Sequence, residues 1–413
     1  MNIKNLIFSA AVLSAILLSL LTAASCSSAK DKATMLPVNW NPKAEGDKVL
    51  ARLIKVTADQ VKGAHNSHFA IVDGYAYIVD EQNDVRPGET AFWDFQYISL
   101  SIVNIKTMKV EKTVPVAKQN QVFENETLPA GACLGQRVIR INPQILRCYF
   151  VSENPRKRQS QYYFVDFDLK TQTFSNRLNR VKLKTEDGIF DMQPQYVYQS
   201  AAKSGFKKKE DEFGFTLHDD PAKQFDGKTY VAFSNFITGL QGLGIWNETF
   251  DTVEIIGYFN EPQETTKLSE PAVNKLPDGT WLAICRNEMM PKNYLFTTSK
   301  DGTHWTEAAS REFISNGDAS KPTFDKFNGV YYIGWQESTR FNGVERSVFN
   351  IDISTDGEHW VRKYRFETEK SFQYPFFCEY GGHIWLSVTQ GESGTQKRTQ
   401  EDKKTQITFG MLE

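Results

Sequence analysis

The chain has 413 residues, of which 13% are aromatic and 24% charged, a length beyond the usual size of one compact core, so several domains or one large repetitive one must follow. A formal net charge of −2 gives no basis for nucleic-acid binding, which wants a clustered basic surface. The one basic cluster, Lys207, Lys208 and Lys209, runs straight into Glu210, Asp211 and Glu212 and reads as a solvated loop.

The N-terminus carries an export signal: Lys4 precedes an apolar run over 6–21, and Thr22, Ala23, Ala24 and Ser25 then lead into Cys26. Small residues directly before a cysteine are similar to a bacterial lipobox, which implies acylation of Cys26, a membrane partner through that lipid, and an exported lipoprotein in the periplasm or on the outer surface. The chain then divides into a signal peptide at 1–25, a lipidated N-terminus and tether at 26–45, and one domain at 46–413. Cys133, Cys148, Cys285 and Cys378 lack zinc-type spacing; export permits disulfides, and four cysteines allow three pairings or free thiols. Neither a metal nor a cofactor is implied.

In chain order, 49–56 alternates enough to be a strand, and 69–72 with 75–79 flank Asp73-Gly74, a tight-hairpin signal. A polar loop over 82–94 leads to an outer strand at 98–103. A second unit opens near Gly135 and a third near Met192, followed by a charged insertion. The fourth is 269–305, the fifth starts at Ser320 and the sixth at Gln373. The last strand, 406–412, has no local partner; pairing with 49–56 would close a ring and remove two sheet edges. The expected fold is all-β, a six-bladed β-propeller of four-stranded antiparallel blades; seven blades are possible if 196–259 hides another unit.

Ser299-Lys-Asp-Gly-Thr-His-Trp305 and Ser354-Thr-Asp-Gly-Glu-His-Trp360 share one spacing and recur at 354 − 299 = 55 residues. Their acidic and hydroxyl groups suit turn capping, and the tryptophan suits packing between sheets. With these turns the chain resembles the sialidase superfamily, whose Asp-boxes occupy such blade corners. Glu270-Pro271, Lys321-Pro322 and Tyr374-Pro375 align at the heads of successive innermost strands. The resemblance implies that Tyr374 is the nucleophile, that Glu270 assists it, and that Arg286 and Arg346 bind the substrate carboxylate.

The chemistry suits these residue types. A 2-keto sugar acid carries a carboxylate on its anomeric carbon, which would repel a carboxylate nucleophile. A tyrosine is neutral until it reacts; with an unperturbed pKa of about 10 it needs a partner to take its proton. Arginine matches a carboxylate with two hydrogen bonds.

The family opens blade one with Phe/Tyr-Arg-Ile-Pro, whereas this chain has His65-Asn66-Ser67-His68 ahead of Phe69. The missing arginine leaves the sugar open. His65 or His68 as acid/base points to a second reading, a lyase or histidine-dependent glycosidase on a uronate polysaccharide. A third is a propeller that binds glycans without catalysis. The family's general acid lies on the loop after the first hairpin, where Asp84 and Asp94 stand; Asp94 is the favoured one. Arg137 at the head of blade two and Gln193 at the head of blade three are expected to line the pocket, with Lys321.

Overall fold

A computed structural model describes residues 36–88, 95–154, 159–206, 215–236, 239–262, 264–391 and 404–413. The export signal, Cys26, Asp94 and the 207–209 basic cluster lie outside the described residues.

The fold is an all-β propeller. Among the described residues six sheets follow one another in chain order, each packed on the next and the sixth on the first. The opening hairpin forms as its dipeptide requires: Asp73 (φ +49°) and Gly74 (φ +83°) take the left-handed pair that joins Gly63–Val72 to Tyr75–Asn83, with Val72 opposite Tyr75. Tyr97–Asn104 and Lys109–Ala117 complete blade one. Apolar side chains fill the space between blades; Val79, Leu100 and Ile102 of blade one meet Val138, Phe150 and Val165 of blade two, all buried. Each such side chain contributes about 1.5–3 kcal/mol of burial.

The blades are less uniform than expected. Only the first, fifth and sixth sheets have four strands; the second has five, the third seven and the fourth three. The excess in the third comes from the hairpin Lys182–Thr185 and Gly188–Asp191, which adds in parallel to the outer strand Thr252–Tyr258, and from two segments, Phe215–His218 and Lys223–Phe225, that both pair with Lys228–Phe236. A helix, Pro194–Lys203, follows, and the innermost strand is Phe215–His218, paired with Lys228–Phe236. The described residues of 196–259 therefore hold part of this helix and strands of one sheet rather than two units.

The expected strand at 49–56 is also corrected. Helix Pro42–Leu50, capped by the Asn41 side chain, ends there, and only Ile54–Lys55 pairs with the C-terminal strand Thr405–Met411. That pairing closes the ring. The helix packs on Val361–Glu367, and the Trp40 indole donates to the Lys363 carbonyl at 2.7 Å, so the segment from Leu36 onward is seated on blade five rather than hanging as a tether. Cys133, Cys148 and Cys285 are buried, Cys378 half-buried, and all four are free thiols. Among the described residues no helix is long and apolar enough to cross a membrane.

Both repeated turns are built alike. The Ser299 hydroxyl accepts from Gly302 N–H at 2.8 Å, and Asp301 Oδ1 accepts from Thr303 and His304 N–H at 2.8 and 2.9 Å. Ser354 and Asp356 repeat these bonds around Gly357. These donors hold the Asp301 carboxylate well below its usual range, with the His304 side chain the leading cause. Trp305 packs edge-on to Phe259, and Trp360 stacks on Phe313.

Candidate active site

One backbone device places the site. The innermost strands of blades one, two, four and six each slip register near their heads, between His65 and His68, Leu134 and Arg137, Ser269 and Ala272, and Gln373 and Phe376. Each bulge holds one left-handed residue: Asn66 (φ +53°), Gly135 (φ +62°), Glu270 (φ +43°) and Tyr374 (φ +50°). A bulge re-aims side chains relative to the regular pleat. For glutamate or tyrosine the left-handed backbone costs on the order of 1–3 kcal/mol, a strain that persists only where the surroundings impose it.

Glu270 and Tyr374, 104 residues apart, meet as a result. Tyr374 Oη donates to Glu270 Oε2 at 2.9 Å. Arg286, at the end of the second strand of blade four, donates through Nη1 to the same carboxylate oxygen at 2.5 Å and to Tyr374 Oη at 2.6 Å. All three are buried. Burial alone would lower the affinity of Arg286 for its proton, but Tyr374, Glu270 and Glu288 outweigh it and hold the guanidinium firmly charged. Arg346 reaches the ring of Tyr374, with its guanidinium carbon 5.7 Å from the centroid, and donates to Gln373 Oε1 at 3.4 Å and the Ala319 carbonyl at 3.2 Å. Its own φ is +49°.

A pocket opens beside this set, walled by His65, Asn66, Glu81, Arg137, Asp219, Glu270 and Tyr374, with Leu134, Leu217 and Phe236 as apolar lining. The two histidines of blade one part company here. His65 sets its ring edge-on to Tyr374 at 4.4 Å. His68 is instead a seam residue: it lies against Phe376 at 3.6 Å, and its Nδ1 accepts from Val138 N–H at 3.3 Å, so it ties blade one to blades six and two. Burial, then the Arg137 and Lys321 cations, hold His68 well below the usual imidazole range and therefore neutral.

Arg137 lies on the pocket wall with one edge committed, Nη1 donating to the Gln136 carbonyl at 2.7 Å and Nη2 standing 3.5 Å from Asp219 Oδ1. Lys321 is buried ahead of Thr323–Phe327; burial, then the Arg137 cation, lower its proton affinity, while Asp219 and Glu270 oppose them. Burial raises the Asp219 carboxyl. Gln193 is not at the head of a blade. It flanks the helix Pro194–Lys203, where its amide donates to Gln161 Oε1 at 2.9 Å, because this helix stands between the outer hairpin of blade three and its inner strand Phe215–His218.

Two pocket carboxyls escape a reading by aligned strand heads. Glu81 stands opposite His65 in the same register by which Arg286 stands opposite Ser269, so the end of the second strand of blade one was the place to look. Gln96 donates to it at 2.6 Å. Asp219 belongs to His218-Asp219-Asp220, hidden behind the insertion in blade three; the neighbouring Asp220 accepts from Ala232 and Val273 N–H at 2.9 and 3.0 Å and pins blade three to blade four. Among the described residues no group of three or more His, Cys, Asp or Glu could hold a metal.

No protein-family model matches the chain, and no curated protein sequence does. Solved structures do match. The Hadza microbial sialidase Hz136 is 12% identical over 87% of this chain and 68% of that one, with a TM-score of 0.57. Trypanosoma rangeli sialidase in complex with 2,3-difluorosialic acid, a covalent intermediate, is 12% identical over 92% and 60%, at 0.56. The K499G mutant of NanB sialidase from Streptococcus pneumoniae is 9% identical over 92% and 71%, at 0.53. The chain spans 54–60% of the length of the trypanosomal sialidases it matches. What the comparisons establish is the fold: this chain is similar in architecture to the β-propellers of these sialidases.

Proposed function

We propose that the chain is an exo-acting, sialidase-like glycoside hydrolase that removes a terminal anionic sugar, sialic acid or similar, through a tyrosine nucleophile. The observation that carries the reading is the buried contact set of Tyr374, Glu270 and Arg286, with Tyr374 Oη 2.9 Å from Glu270 and 2.6 Å from Arg286. In the first step Tyr374 Oη bonds to the anomeric carbon as its proton passes to Glu270 and the glycosidic bond breaks; Arg286 stabilises the phenolate character that develops. The leaving oxygen takes a proton from an acid of blade one, Asp94 by the family resemblance or Glu81 on the pocket wall. Water then displaces Tyr374, which recovers its proton. The repeated Ser-x-Asp-Gly turns are the Asp-boxes of this reading, and an acylated Cys26 would anchor the exported enzyme at the cell envelope.

The test is release of sugar from sialylated glycans, followed by mass spectrometry. Tyr374→Phe should reduce the rate by about 10³-fold or more, as loss of a covalent nucleophile does. If Tyr374→Phe keeps the wild-type rate while His65→Ala abolishes it, and an unsaturated product absorbing in the ultraviolet accumulates from uronate glycans, the lyase reading replaces this one.

A further inference from the structure

Arg286 is one of the two cations that the resemblance assigns to the substrate carboxylate, yet a carboxylate already stands on each side of its fork. Its inner nitrogen serves Glu270 and Tyr374. Its outer edge faces Glu288, with Nε 2.8 Å from Oε1 and Nη2 3.2 Å from Oε2. Of these two contacts Nη2 to Oε2 is the hydrogen bond and Nε to Oε1 a close ion pair, so the Glu288 carboxylate stands along the edge of the guanidinium that a carboxylate ligand would approach. Glu288 is held there, since the Ser269 hydroxyl donates to its Oε1 at 2.8 Å and its own N–H bonds to the Lys267 carbonyl at 2.9 Å. Its side chain is 26% exposed against 10% for Arg286, so it stands on the solvent side of the arginine.

We propose that Glu288 is a specificity-determining residue that occupies the carboxylate seat of Arg286. The inference rests on the glycosidase reading above and changes the role of one residue in it. Arg286 then positions and activates Tyr374, and the acidic group of the sugar is received on the Arg346 side. Two carboxylates already share the one guanidinium charge, so a third arriving from substrate would meet net repulsion. The absence of an arginine at His65-Asn66 fits the same picture, because it removes one donor from the carboxylate clamp that the resemblance implies. A substrate with its charge spread or weakly held, or a smaller acidic sugar, suits it better than one that needs several arginines.

Removing the charge while keeping the shape isolates the effect. Glu288→Gln retains a group that can bond Ser269 but leaves the outer edge of Arg286 unneutralised. Binding of free N-acetylneuraminic acid and of glucuronic acid, measured by calorimetry, should tighten by about tenfold or more, the change that removing one negative charge beside the arriving carboxylate brings. Binding of neutral galactose should stay within twofold or so of wild type. Acid binding no tighter in the variant than in wild type, including no binding by either, overturns the proposal. Failure of the nucleophile assignment is read separately, by whether Tyr374→Phe abolishes turnover and labelling by a difluorinated sugar acid.

Discussion

At the scale of single residues, a polar side chain in this propeller is either aimed into the pocket or committed to holding blades together, and the same residue type can do either. His65 and His68 are three positions apart, yet the first meets Tyr374 and the second is locked between Phe376 and the Val138 amide. The locked one has a measurable signature. Its imidazole stays neutral in the fold because burial and the Arg137 and Lys321 cations disfavour the charged form, whereas the unfolded chain takes up a proton near pH 6.5. Stability is therefore complete above that pH and lost as the pH falls below it, by up to about 1.4 kcal/mol per unit for this group. In denaturant titrations between pH 7 and 5, His68→Gln should start from lower stability but show a shallower decline than wild type. An equal slope would mean that His68 is charged in the fold.

At the scale of elements, the repeated turns are self-contained. Serine and aspartate side chains satisfy the amides of their own loop, so the turn forms from a few consecutive residues. Glycine is required at one position for two reasons. Gly357 has φ +81°, and an added Cβ would lie 2.4 Å from Leu276 Cδ2, whereas Gly329 has the same φ with nothing within 4 Å. Gly329→Ala should cost about 1 kcal/mol from backbone strain, and Gly357→Ala a further 1–3 kcal/mol or so from overpacking. Equal losses in chemical denaturation would show that Leu276 yields without cost.

At the scale of the molecule, closure depends on the C-terminal strand. Thr405–Met411 lies inside the sixth sheet, between His383–Gly391 and Ile54–Lys55, and buries Ile407 and Phe409 completely. Glu413 beyond it accepts from Tyr332 and Lys363 of blade five at 2.7 and 2.5 Å. Deleting 405–413 should expose two sheet edges and remove the cooperative unfolding transition, with loss of near-ultraviolet circular dichroism and aggregation on size exclusion. A truncated chain that remains monomeric with a sharp transition would show that the ring does not need its closing strand.

The sequence by itself determined what depends on neighbours along the chain: the Asp73-Gly74 hairpin, the two capped turns 55 residues apart, and the short apolar strands between them. The same local signals located Glu270, Arg286 and Tyr374 at strand ends. Only the tertiary structure decided which side chains meet. A register slip of the kind seen at Asn66, Gly135, Glu270 and Tyr374 turns a side chain to the other face, and no local pattern announces it. The slips bring Glu270 and Tyr374 together, while the closing of the ring brings Glu81 and Asp219 to the pocket and His68 to a seam; Glu288 stands against Arg286. The helix Pro42–Leu50, which takes up the start of the strand expected at 49–56, and the helix Pro194–Lys203, near where blade three was expected to open, were likewise settled by packing against blade five and within blade three, because short helices draw most of their stability from tertiary contact.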